Sequence, residues 1–269
     1  MNKDNVVSRE YKCKSQFDLS KSMRHAQSLI LSGPKQVLGA AGNYKLTGTA
    51  ARASILQVLS ITSSDKTASI SSIKIAGQSL NVTDQDASVF AFDADVTALG
   101  AKQRYIGIAV KSQQASTIAI DGALTAAGTI GFGCSTQPLE DFQVPTIESQ
   151  AEFYNFFGGL GEAVIAAGGT GKLSCRTTRS CKIGQLLLNN ITAGVGNEDL
   201  SITSVEVNGL EYLSGNDDGE TPLEQFGAKV GDVLGNLVHA TVEANAEVSI
   251  TLKNVNAAPA TVQGVFFCM

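Results

Sequence analysis

Two stretches of this chain, 127 residues apart, are versions of one another, and this limits the fold more than any other feature. "VLGAAGNYKLTGTAAR" (37–52) lies on "VIAAGGTGKLSCRTTR" (164–179). Val37, Ala40, Gly42, Lys45, Leu46 and Arg52 meet identical residues, and Leu38 meets Ile165. The match resumes downstream at an offset of 132. "ISSIKIAG" (70–77) lies on "ITSVEVNG" (202–209), "YIGIAVKS" (105–112) on "LVHATVEA" (237–244), and Ile118, Ile120, Ala126 and Thr129 on Ile250, Leu252, Ala258 and Thr261. Several segments in one order with one small shift are the mark of a tandem duplication. The shift predicts a longer loop in the second copy, near "TAGVGNED" (192–199).

The repeated unit reads as all-β. "SILQVLSIT" (54–62), "SIKIAG" (72–77), "VFAFD" (89–93), "YIGIAV" (105–110), "STIAI" (116–120) and "TIGFG" (129–133) are short and rich in β-branched or aromatic residues. Several alternate with the period of two of a half-buried strand, and Gly, Asn, Asp and Ser separate them. The second copy repeats the pattern in "IGQLLLN" (183–189), "LSITSVEVNG" (200–209), "EVSITLK" (247–253) and "ATVQGVFFC" (260–268). Helix-favouring Glu, Lys and Arg are sparse, charged residues make up 17% and Trp is absent. A unit of about 120–130 residues exceeds an immunoglobulin-like sandwich and suits an eight-stranded jelly roll. The expected fold class is therefore all-β, two tandem eight-stranded jelly-roll barrels arising from internal duplication. The expected division is an arm over 1–25, a first barrel over 26–140 and a second over 141–269, with an inter-barrel segment at 141–161. Within that segment, 148–157 predicts a short helix ended by Gly158. Phe153, Tyr154, Phe156 and Phe157 are expected to pack between the barrels.

The duplication also disposes of the one motif that suggests nucleotide chemistry. "AAGGTGKL" (166–173) places Gly171-Lys172 where a phosphate loop has them, but Ala166 stands at the first glycine and Leu173 at the Ser/Thr. Its duplicate, "LGAAGNYKL", keeps Lys45 and loses the glycine to Tyr44. The segment reads as a turn entering a strand. His25 and His239 are the only histidines and occupy unrelated positions; no nucleophile elbow, metalloprotease helix or Cys-x-x-Cys pair is present. No enzyme is expected. Asp84 and Asp86 in "TDQD", and Asp217, Asp218 and Glu220 in "NDDGE", place oxygen-rich groups in one loop of both copies. They read either as hydrated acidic turns or as calcium ligands, since calcium accepts irregular oxygen cages.

Net charge is −5, with Lys3, Arg9, Lys12, Lys14, Lys21 and Arg24 giving residues 1–25 a net +3 and the rest −8. A basic arm on an acidic body implies that the two face different surroundings, and an acidic body argues against general nucleic-acid binding. "MNKDNVVSREYKCK" lacks an apolar stretch of signal-peptide length, so Cys13, Cys134, Cys175, Cys181 and Cys268 are expected as free thiols in a reducing compartment.

The duplicated body, the 269-residue length and the basic arm together resemble the double jelly-roll major capsid proteins of tailless icosahedral viruses, most nearly the small ones of membrane-containing, corticovirus-like bacteriophages. The resemblance spans essentially the whole chain and carries no short signature, so it assigns no functional residue. It implies a virion protein assembled in the host cytoplasm as pseudo-hexagonal homotrimers, an icosahedral shell over an internal membrane, and an arm that meets that membrane or its proteins, with no specific nucleic acid. The competing class is a two-domain carbohydrate-binding or adhesin protein. A jelly-roll or cupin enzyme would need clustered His and carboxylate ligands, which two unaligned histidines do not provide.

Overall fold

The computed structural model describes residues 29–50, 54–75, 77–92, 105–110, 117–138, 156–213, 220–226 and 240–268. The first copy holds β1 (Leu29–Ser32), β2 (Gln36–Leu38), β3 (Gly42–Thr49), β4 (Ser54–Ser63), β5 (Ser69–Ile75), β6 (Gln78–Ser79), β7 (Ala87–Ser88), β8 (Tyr105–Val110), β9 (Thr117–Leu124) and β10 (Gly128–Pro138). The second holds β11 (Phe156–Ile165), β12 (Thr170–Arg176), β13 (Cys181–Asn190), β14 (Leu200–Val207), β15 (Leu210–Glu211), β16 (Thr221–Pro222), β17 (Thr241–Val242), β18 (Glu247–Asn254) and β19 (Ala260–Cys268).

Four antiparallel sheets result. The first copy orders its strands β1/β2-β10-β4-β8 and β3-β9-β5-β6, with β7 also on β5. The second orders them β11-β19-β13-β17 and β12-β18-β14-β15, with β16 also on β14. Counting β1/β2 as one strand, and likewise β6/β7 and β15/β16, each copy is eight strands in two packed sheets with jelly-roll order. The molecule is two tandem jelly rolls, and the duplication extends upstream of the sequence match. β1 and β2 together (29–38) fall on β11 (156–165) at the offset of 127. Gly33-Pro34-Lys35 interrupts the first copy where Leu160-Gly161-Glu162 runs on. Proline lacks the N–H a continuous ladder needs.

Irregularities are duplicated as well. The register shifts between Ile70 and Ser72 in β5, and between Ile202 and Ser204 in β14. The extra residue carries a hydroxyl in both: Ser71 Oγ donates to the Asp121 carbonyl at 3.1 Å, and Thr203 Oγ1 to the Thr251 carbonyl at 3.3 Å. The bulge explains why Ile70, Ile73 and Ile75 are all buried although their spacing is not strictly two. The loop predicted to be longer in the second copy is so: β13 ends at Asn190 and β14 begins at Leu200, against Ser63 and Ser69 in the first.

Two expectations are corrected. Val89–Phe92 form a 3-10 turn rather than a strand: all four side chains enter the one core of the first barrel, whereas a strand would send alternate ones to opposite faces. Phe156 and Phe157 open β11 instead of closing a helix, since the ladder to β19 begins at the Phe156–Cys268 pair. Gly158 is no helix stop. A Cβ there would lie 2.2 Å from Phe266 Cζ, so the glycine makes room for that ring. The rest of 148–155, including Phe153 and Tyr154, lies outside the described residues, as do the arm (1–25), Cys13 and both histidines.

Candidate functional site: the seam between the barrels

Two hydrophobic cores, one per barrel, exchange members. Val82 of the first copy belongs to the second core, while Phe157, Leu187, Val265 and Phe267 of the second copy pack with the first. The exchange follows from patterning. β19 ends in "VFFC" and β13 contains "LLL", runs apolar on both strand faces. Leu186, Leu188, Phe266 and Cys268 point into their own barrel; Leu187, Val265 and Phe267 point at the other. Phe92 stacks edge-on against Phe157 and Phe267, with ring centroids 5.2 and 5.6 Å away. Such pairs add about 0.5–1.5 kcal/mol each beyond the area they bury.

Residues 80–86 of the first copy form the polar half of this seam. They run along the outer edge of β11: Phe157 N donates to the Leu80 carbonyl (3.1 Å) and Val82 N to the Phe157 carbonyl (2.8 Å). On their other side Thr178 N donates to the Val82 carbonyl (2.7 Å) and Asp84 N to the Arg176 carbonyl (3.1 Å). The loop thus fills the corner between the two sheets of the second barrel and covers an edge that would otherwise invite pairing. Thr83 Oγ1 donates to the Gly159 carbonyl (2.8 Å), Ser88 Oγ bonds Gln263 Oε1, and Arg179 Nη2 donates to the Ser79 carbonyl (3.0 Å) while its guanidinium covers the Phe156 ring at 4.7 Å. Gly159 permits the approach, since a Cβ there would lie 2.2 Å from the Asp86 carbonyl oxygen.

Of the acidic residues singled out by sequence, Asp84 and Asp86 lie in this loop and Glu220 just ahead of β16. Asp84 Oδ1 accepts the Arg176 N–H at 2.8 Å, and Asp86 accepts from Ser69 Oγ at 3.1 Å. Glu220 accepts from Ser201 Oγ at 3.2 Å and pairs with Lys253. Its carboxyl is held below the usual range chiefly by the Lys253 hydrogen bond. Register places β7 and β16 so that Asp86 corresponds to Glu220, two residues beyond Asp218, to which the sequence offset of 132 leads, and the two serines below them, Ser69 and Ser201, correspond too. Asp217 and Asp218 lie outside the described residues. Among the described residues no three His, Cys, Asp or Glu side chains gather as a metal cage.

The glycine-rich loop is a turn entering a strand. Gly168 takes φ +62 and Gly169 N donates to the Ala166 carbonyl at 3.0 Å, after which β12 begins. Lys172 Nζ makes a half-exposed ion pair with Glu247 at 3.0 Å. Cys134, Cys175, Cys181 and Cys268 are buried and form no disulfide among the described residues. Burial, then the Asp84 carboxylate, pushes the Cys175 thiol up, so it stays protonated and unreactive.

No family model and no curated protein matches the chain. Among solved structures it is similar to the major capsid protein P2 from Bacteriophage PM2, at 9% identity and a TM-score of 0.41, covering 90% of this chain and 98% of that one.

A groove of about 590 Å³ on the first barrel is lined by Gln36, Asn43, Tyr44, Lys45, Asp86 and Asp121 among others. Tyr44 is only 3% exposed, and its hydroxyl crosses Gly122 to donate to the Ser69 carbonyl at 2.8 Å. Burial, then the Asp86 and Asp121 carboxylates, hold the phenol protonated. Among the described lining residues Tyr44 is the aromatic one, and its ring lies in the core. Sequence reasoning missed the seam's polar half because its partners are 76–175 residues apart, as Thr83–Gly159 and Ser88–Gln263 show. The doubly apolar runs were the one available signal.

Proposed function

We propose that this chain is a structural capsid subunit. The observation that supports it is the seam: two jelly rolls of one topology fixed to each other by backbone pairing and by shared aromatic packing. A subunit that tiles a closed shell must hold its lobes at a set angle, and this one does so with apolar area, which resists changes of salt. In this reading three chains offer six similar lobes, a nearly hexagonal tile with true threefold symmetry, and the tiles close into an icosahedral shell over an internal membrane within a virion assembled in the host cytoplasm. The basic arm, residues 1–25, faces that membrane, each Lys or Arg near anionic lipid contributing about 1 kcal/mol. Calcium belongs to the same reading as a bridge between copies. One copy gathers no three such ligands among the described residues, and in this reading oxygens from Asp84, Asp86, Asp217, Asp218 and Glu220 meet the cation across a subunit contact.

The test is assembly of the purified protein, with and without anionic vesicles, followed by electron microscopy and light scattering. Closed particles or a threefold assembly are expected. A chain that stays monomeric at all concentrations and ionic strengths, with or without vesicles, refutes the proposal.

A further inference from the structure

Both halves of the seam inside one chain have duplicates elsewhere in it. Strand register makes Leu80 and Tyr212 equivalent: each follows a two-residue strand and donates its N–H back to the neighbouring strand at 2.8 Å, Leu80 to Ile73 and Tyr212 to Val205. Leu80, packed in the first core that Phe157 also enters, is 1% exposed; Tyr212 is 44% exposed. The receiving side shows the same contrast. β11 has its outer edge covered by residues 80–82, whereas β1 ends its sheet and no strand of the described residues pairs with its outer edge. Ile30 lies opposite Ser135 as Phe157 lies opposite Phe267, so its N–H and carbonyl point outward as those of Phe157 do. Ser60, in the position of Leu187, carries a buried hydroxyl without a hydrogen-bond partner. Gly133, in the position of Val265, faces open space.

We propose that Tyr212 and Leu213 of one copy dock on the outer edge of β1 in a second copy, by the contact that Leu80 and Asn81 make with β11 within a chain. The occupant is this chain itself, because both halves of the contact are duplicates of halves already joined. Such a contact is heterologous: it closes into a ring or runs on as a filament according to its rotation. Six lobes related by one repeated step close after three chains. Ser60 and Gly133 replace two apolar residues, and Ser32 replaces Gly159 at its closest approach, so the contact between copies is looser than the seam and reversible. This inference rests on the self-assembly proposed above and names its surface.

The experiment compares the full-length protein, Tyr212→Asp, and a Ser32→Cys/Glu220→Cys pair with its single-cysteine controls. The pair is placed by the seam, where Gly159 touches Asp86, the equivalent of Glu220. The wild type is expected at three times 28.0 kDa. Tyr212→Asp is expected at the monomer mass with unchanged circular dichroism. The cysteine pair is expected to cross-link between copies on mild oxidation, and neither single variant is. Should Tyr212→Asp fail to fold, the cross-link decides. A wild-type oligomer whose mass survives Tyr212→Asp, or that gives no cross-link specific to the pair, overturns this surface and leaves assembly standing. A wild type that is monomeric throughout overturns both.

Discussion

At the scale of the residue, two positions without reactive chemistry set the structure most tightly. Gly159 lies so close to Asp86 and Ala87 that any Cβ collides with backbone. Gly159→Ala is expected to lower stability by about 2 kcal/mol or more, within the range of overpacking in a tight site, and to lower the thermal midpoint accordingly. A midpoint within 1 °C of wild type, on the order of a few tenths of a kcal/mol, would contradict it. Asp65 accepts from Thr67 N and Oγ1 (2.9 and 2.6 Å) and from Thr125 N and Oγ1 (2.6 and 2.9 Å), joining two loops of the first barrel. Burial raises its pKa, but those four hydrogen bonds outweigh burial and hold it below the ordinary carboxylate value. A carboxyl depressed in the folded state contributes stability above its unfolded pKa of about 3.9 and loses it as pH falls through the folded value. Asp65→Asn is therefore expected to destabilise by roughly 1 kcal/mol at neutral pH, the part-exposed site being discounted for solvent, with the difference shrinking below about pH 4. Urea titrations at pH 7 and pH 3 measure this; an equal difference at both would sink it.

At the scale of the element, the deciding feature is a sheet buried on both faces. β13 and β19 serve their own barrel with one set of side chains and the other barrel with the alternate set. Truncating the outward set should therefore uncouple the barrels without emptying either of its own core. Phe157→Ala with Phe267→Ala is expected to cost about 3 kcal/mol or more, the usual range for each buried Phe lost, and to split one calorimetric transition into two. One sharp, merely shifted transition would mean that the polar half of the seam suffices. β12 gives the opposite case. Lys172 makes a half-exposed ion pair with Glu247 at the surface. Lys172→Ala is expected to change stability by less than about 1 kcal/mol and to leave nucleotide binding, measured calorimetrically, as it was. Loss of a measurable ATP affinity in that variant would reinstate the phosphate-loop reading.

At the scale of the whole molecule, duplication gives two lobes of one topology but not two equal environments. Residues 80–83 of the first barrel are buried or half-buried at the seam, whereas Tyr212, the counterpart of Leu80 in the second barrel, is exposed. This asymmetry is what a chain built to meet further copies of itself would carry. Removing residues 1–25 is expected to leave the thermal midpoint of the barrels unchanged while impairing particle formation around anionic vesicles. Normal particles from the truncated chain would remove the arm from the assembly. Calcium is expected to raise the midpoint of assembled protein and not of isolated subunits, since ligation across a contact stabilises only the assembly. Equal midpoints with calcium and with chelator in the assembled form would dismiss the cation.

The sequence alone determined what is periodic or repeated. Alternating apolar residues and a match at offsets of 127 and 132 suffice for two all-β copies, since strand period and duplication are local or self-referential signals. Reading the GGTGK segment as a turn needed only its own spacing and its duplicate. Tertiary structure decided whatever depends on a distant partner. Val89–Phe92 resemble a strand until one core takes all four side chains and coils them into a 3-10 turn, and the aromatics at 156–157 resemble a helix end until β19 pairs with them. The shift that sets Asp86 against Glu220, rather than against a residue two places earlier, exists only in strand register. So does the division of "VFFC" between two cores, because hydrophobicity records that a side chain is buried and not which barrel buries it.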